Sequence, residues 1–253
     1  MALACVAVSP LALAQPVDDG AWHFNVGMGV FAQPKYPGSS ETRAGAMPVF
    51  NATKGRLQIG ALPGAGALGV NYNVFQEGPW RFGLGLGTSL GNPRNANEGT
   101  ALSSLGEIKQ TALGSLSGSY SAGAVSASAS VIGDIGGHQQ GTRALLDVMF
   151  KTRPLEKWVL SAGPGVTLMD SQYAQTYYGV SSAQSASSGY STYKASAGIN
   201  ALRLGASANY ELSREWSLGA RFSLSKLQGD AANSPTAEKG TQASYGLFAN
   251  YRF

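Results

Sequence analysis

The sequence predicts an all-β protein: a closed antiparallel β-barrel that crosses a membrane, built from twelve strands. Three observations carry this reading. Residues 243–253 alternate strictly, with Ala243, Tyr245, Leu247, Ala249, Tyr251 and Phe253 on one face. Ser244, Gly246, Asn250 and Arg252 lie on the other, where Phe248 is the only bulky apolar residue. A strand turns successive side chains to opposite faces, so this is a segment with one greasy and one polar side. Only 13% of the 253 residues are charged and 34 are glycine, whereas an ordinary soluble domain carries about 25% charged residues. Finally, no stretch after residue 16 approaches the roughly 18 uninterrupted apolar residues of a membrane helix. Low charge without long apolar runs is what alternating lipid-facing and lumen-facing residues produce.

Taken in order, residues 1–15 read as a secretory leader, with an apolar core and a small-x-small end at Ala12-Leu13-Ala14. The leader lacks a basic start, so its true beginning is expected upstream of Met1. Cys5, the only cysteine, lies inside it. A lipoprotein anchor there would need a better-formed small-residue box and a longer leader. Residues 16–253 then form a single barrel domain.

Strands are expected near 22–31, 44–52, 56–61, 67–75, 80–90, 106–120, 124–133, 141–150, 157–169, 199–211, 215–228 and 242–253. Trp22, Phe24, Val26, Met28 and Val30 oppose His23, Asn25, Gly27 and Gly29 in the first. Trp80, Phe82, Leu84 and Leu86 oppose Arg81, Gly83, Gly85 and Gly87 in the fifth. The strands at 199–211 and 215–228 divide as cleanly. The third is the least defined, because Ala61-Leu-Pro-Gly-Ala-Gly66 blurs its end.

Bacterial single-chain barrels have even strand numbers, short periplasmic turns and longer external loops. That parity assigns residues 190–198 to a long external loop rather than to a thirteenth strand. Residues 76–79 and 212–215 become periplasmic turns; 32–43, 91–105, 134–140, 170–198 and 229–241 become external loops. The last strand ends on Phe253, as closing strands of outer-membrane barrels do, and is expected to be read by the barrel-assembly machinery. Outer-membrane lipid should cover the apolar face. Trp22, Trp80, Trp158 and Trp216 each begin a strand leaving the periplasmic side, and with Tyr251 and Phe253 they are expected to form an aromatic girdle there.

Three segments resemble the MltA-interacting protein (MipA)/OmpV family of Gram-negative outer-membrane proteins. They are Gly29–Ser40 with Met47-Pro-Val49, Tyr177–Tyr190 with its Tyr-Tyr-Gly-Val-Ser core, and Leu227-Gln-Gly-Asp-Ala-Ala-Asn-Ser-Pro235, followed by the terminal Tyr251-Arg-Phe253. Tyr36-Pro37 and Asn233 depart from the family pattern, where acidic residues are common. The resemblance implies a scaffold that brings a murein-cleaving lytic transglycosylase together with a murein synthase. Other members are linked to antibiotic response or solute passage. It supplies no catalytic residues.

The net charge of +4 is spread without a basic run, so nucleic-acid binding has no support. His23 and His138, the only histidines, are expected at opposite ends of the barrel. That is poor placement for a Ser-His pair or a metal site. Asp170, Asp230 and Glu238 are external acids that could gather, or simply be solvated. Gly83-x-Gly-x-Gly87 is strand alternation rather than a phosphate loop. No catalytic, metal or cofactor site is expected.

Lys109, Arg143, Asp147, Arg203, Glu211, Arg221 and Arg252 fall on lumen positions. They read either as a channel preferring anions or as an internal salt-bridge network in a narrow or plugged barrel. The leading expectation is a non-enzymatic scaffold, with a small-solute channel as the rival and an outer-membrane hydrolase behind both.

Overall fold

The computed structural model describes residues 20–89, 91–94 and 102–253; the leader expected at 1–15 lies outside them. Twelve strands form one closed antiparallel barrel. They are β1 (His23–Pro34), β2 (Thr42–Lys54), β3 (Leu57–Ala61), β4 (Ala67–Glu77), β5 (Trp80–Ser89), β6 (Ala112–Ala122), β7 (Val125–Asp134), β8 (Thr142–Leu155), β9 (Trp158–Met169), β10 (Gly198–Glu211), β11 (Trp216–Leu227) and β12 (Thr241–Arg252). Each pairs with its neighbours in sequence, and β12 closes on β1 from Asn25↔Arg252 to Ala32↔Tyr245. Closure pairs nearly the whole ladder from within; the exception is β2, whose residues 42–50 run past the short β3 and have no strand partner on that side.

Residues 190–197 form no strand; Tyr193 makes only an isolated bridge to Val180. The expected strand at 106–120 begins instead at Ala112. Ile108 is bridged to Arg94, and Gln110 donates to Thr88 Oγ1 and to Ser89 O. Residues 106–111 therefore belong to the preceding loop. Two long loops, expected only as connections, carry helices. α1 (Ser171–Tyr178) is N-capped by Asp170, α2 (Ser182–Ser188) opens on a Ser181/Gln184 capping box, and α3 (Gly229–Asn233) follows β11.

The barrel is inside out relative to a soluble domain. Leu86 on the outer face is 64% exposed, while the inward Asn71 and Asn250 are 3% and 5% exposed. A continuous apolar belt of this extent is a liability in water and the ordinary surface of a barrel in lipid.

Bulky inward side chains stand beside inward glycines on the adjoining strand. Asn250 pairs with Gly27, Asn51 with Gly60, Asn71 with Gly85, Asn209 with Gly219 and Asp147 with Gly165. Phe31 pairs with Gly45, and Phe248 with Gly219 on one side and Gly29 on the other. Each side chain lies along the wall in the space its partner leaves; the Phe248 ring fills the space a Cβ on Gly219 would need.

The third strand is short because the chain then turns into the lumen. Residues 62–66 carry Leu62 and Ala65 inward, where they pack with Ala67, Ile132 and Leu145. A Cβ on Gly87 would come within 2.7 Å of Leu62 Cδ1, so β5 is glycine-rich where the turn enters. Arg143 holds the turn from the opposite wall by donating to Ala65 O.

Valine has the higher strand propensity, yet Gly219→Val should destabilise the barrel by about 1–3 kcal/mol by overpacking the Phe248 contact. Gly198→Val, where a Cβ meets nothing within 4 Å, should change stability by less than about 0.5 kcal/mol. Urea titration of the folded, heat-modifiable band in lipid would measure both; equal midpoints would contradict the packing argument.

Candidate functional site

The three segments that carry the family resemblance lie far apart in sequence and meet at the long-loop end of the barrel. Ser234 Oγ donates to Tyr178 O at 2.6 Å, and Lys239 N donates to Gly38 O at 2.8 Å. Gln242 Nε2 donates to Ser39 O at 2.8 Å. Tyr193 Oη donates to Asp230 O at 3.1 Å. Gly38 has φ +95°, and a Cβ there would sit 2.9 Å from Ala237 Cα, so both backbone and space require glycine.

Beneath these bonds Tyr173, Ala174 and Tyr178 of α1 pack against Ala201, Leu227 and Ala231. A second cluster joins Tyr36, Leu102, Leu105 and Val180. Tyr178, 1% exposed, still places its hydroxyl on Asn200 Oδ1 at 2.8 Å, as a buried phenol must. With the inward turn at 62–66, this makes a packed cover over one end.

The cover uses the external acids separately. Asp170 accepts from Tyr173 N and Thr142 N, Asp230 from Ser196 N, and Glu238 from Tyr36 Oη and Ser40. No cluster of three or more His, Cys, Asp or Glu exists among the described residues. His138 lies in the long-loop cover, 3.2 Å from Thr111 Oγ1, while His23 starts β1 at the other rim.

Below the cover the lumen is a cavity reaching the short-turn rim. Its wall carries Asn25, Asn51, Asn71, Asn73 and Asn250 with serines of β6 and β7, and its charged residues include Arg81, Asp147, Arg221 and Arg252. Asp147 pairs with Arg203 at 2.9 Å. Arg221 lies over the Phe248 ring, 5.0 Å from its centroid, a stacking available to a planar guanidinium. Glu211 is nearer the rim, 3.4 Å from Arg153. Arg143 sits higher, on the inward turn. Lys109 is exposed in the loop before β6, and it lines no part of this cavity, nor do Arg143, Arg203 and Glu211.

Arg81 and the apolar liners Phe31, Met47 and Val49 were not among the expected site residues. The alternation marks Arg81 as inward against Trp80 and Phe82, and Phe31 as inward in phase with Asn25, Gly27 and Gly29.

Aromatics gather at the short-turn rim in cross-strand pairs. Trp80 meets Tyr120 at 4.7 Å, Trp158 meets Tyr210 at 5.1 Å, and Trp216 meets Tyr251 at 5.1 Å between ring centroids. Tyr251 continues to Phe253 at 4.8 Å, and Trp22 stacks on Phe24 at 6.0 Å.

Compared with known proteins, residues 26–253 match the family described as MltA-interacting protein MipA. No curated protein matches the chain. Solved structures similar to it include the NanC porin (9% identity, 91% of this chain and 99% of that one, TM-score 0.43). Another is an anion-selective porin from Comamonas acidovorans (9%, 92% and 99%, TM-score 0.41). A third is OmpT, an outer membrane protein of Vibrio cholerae (9%, 92% and 97%, TM-score 0.39). Likenesses at this level carry no information on solute or partner.

Hydrogen bonds from the Ser40 hydroxyl, from Tyr36 and from Ser40 N hold the Glu238 carboxyl below the usual carboxylate range, against a smaller opposing effect of burial. A depressed folded pKa adds stability above the unfolded value of about 4.3, and that contribution is lost as pH falls through the folded value. Amide protection factors in residues 35–41 and 234–240 should therefore fall on acidification below about pH 4.3. Glu238→Gln should remove much of that dependence; an unchanged profile would contradict the assignment.

Proposed function

The chain belongs to the MltA-interacting protein MipA family and is a β-barrel of the Gram-negative outer membrane, and from that premise we propose that it is a non-enzymatic scaffold. It holds murein-processing enzymes, a lytic transglycosylase together with a murein synthase, at the membrane's inner face. The family match from residue 26 to 253 carries this reading, since it takes in the barrel and all three cover segments. The packed cover supports it as well. With short turns periplasmic and long loops external, the covered end faces outward and the open end faces the murein.

On this reading the partner surface is the rim formed by the turns at 55–56, 78–79, 123–124, 156–157 and 212–215. The paired tryptophans and tyrosines are an interfacial girdle that fixes its depth against lipid. Residues 1–15 are a leader removed on export, and the closing strand ending at Phe253 is the segment recognised by the barrel-assembly machinery.

A small-solute channel is the second reading, favoured by the arginines of the lumen wall. Two measurements separate them. Replacing Glu156, Lys157, Arg214 and Glu215 with serine should cut co-purification of a lytic transglycosylase from envelope extracts at least about tenfold. Planar-bilayer recordings should show no discrete conductance steps. Steps that change on Arg221→Glu, with co-purification unaffected by the turn variant, would replace the scaffold with a channel.

A further inference from the structure

The lumen wall is two-sided. Phe31, Met47, Val49 and Phe248 all come from three adjoining strands, β12, β1 and β2. Across the ring, β6 and β7 present Ser117, Ser119, Ser128 and Ser130. The cations stand on or beside the apolar wall and opposite it: Arg252 on β12, Arg221 on the adjoining β11 with its guanidinium over Phe248, and Arg81 on β5. Asp147, the acid of this wall, is already held by Arg203. Asn25, Asn51, Asn71 and Asn250 also line the cavity, with their amide oxygens buried in the wall rather than open to it. Asn71 and Asn250 are more than nine-tenths buried.

These features ask for different groups on one molecule. Guanidinium groups in a partly desolvated wall select a carboxylate or similar anion. An aromatic and aliphatic patch inside a polar lumen takes an apolar body. We propose that the cavity is a binding site for a small amphipathic organic anion. The solute enters from the periplasmic rim and stops beneath the cover. Its carboxylate meets Arg221 and Arg252, and its apolar body lies on Phe31, Met47 and Val49. The site is a dead end, so binding needs no conductance, and it is separate from the rim turns that the scaffold reading uses.

A matched pair of probes tests this: N-acetylphenylalanine and its uncharged amide, titrated by calorimetry into the full barrel in lipid nanodiscs. The acid should bind saturably, one per barrel, with the amide at least about tenfold weaker. Arg221→Gln should erase the preference for the acid, and Phe248→Ser should weaken both probes. Heat-modifiable migration establishes that each variant has folded. Should Arg221→Gln fail to fold, Val49→Glu, which adds a negative charge to the same wall, should weaken the acid more than the amide. Absence of saturable binding by the unmodified barrel overturns the proposal. So does equal affinity for acid and amide, or a preference unchanged in whichever charge variant folds. Co-purification with a murein enzyme is a separate readout, so either idea can fail without the other.

Discussion

Everything in this molecule follows from the pairing of β1 with β12. A polypeptide in hydrocarbon must satisfy every backbone donor and acceptor from within, and a sheet does so only by closing on itself. The register from Asn25↔Arg252 to Ala32↔Tyr245 supplies that closure. It also commits each strand to one outward and one inward face, because a slip of one residue would exchange them. Leu86 and Leu247 then meet lipid while Asn250 and Arg221 face the lumen.

Closure creates a second problem, which the glycines solve. Twelve strands bound a lumen between the filled eight-stranded barrels and the open porins. Phe248, Asn209 and Asn250 fit along its wall because Gly219 and Gly27 face them across the ladder. Leu62 can enter from the inward turn because Gly85 and Gly87 leave room. The interior is thus graded: packed around Leu62, Ala65 and Ile132 near the long-loop end, and open among asparagines and serines towards the short turns. The cover completes the packed end, joining α1, the 35–41 loop and the segment after β11 through backbone acceptors and buried tyrosines. A structure closed at the long-loop end and open at the short turns suits the proposed scaffold role.

The strands were legible in the sequence because period-two alternation is local and survives without knowledge of partners. Even the exclusion of 190–198 as a strand followed from parity alone, and Phe248 stood out as the bulky residue on a polar face. The start of β6 was misplaced because Ile108 and Lys109 continue the alternation, while the bridge from Ile108 to Arg94 that ends it is tertiary. The cover helices were not legible. α1, α2 and α3 are too short to be stable alone; α1 and α3 form where Tyr178, Leu227 and Ala231 meet, and α2 forms against Ser104 and Leu105. The pairing of inward Phe31 with Gly45 needed the strand register, which depends on turn geometry across the whole barrel. The motif segments were recognisable one by one, but their convergence into a single cover was not.

The central claim is a lumen sealed from outside and open to the periplasm. Accessibility of a lumenal cysteine tests it most directly. In intact cells, Ser187→Cys on the exposed α2 should react with a bulky membrane-impermeant maleimide, whereas Ser119→Cys, inward on β6, should not. Ser119→Cys should react once the periplasm is opened. Labelling of Ser119→Cys from outside at the rate of Ser187→Cys would contradict the sealed cover and the account built on it.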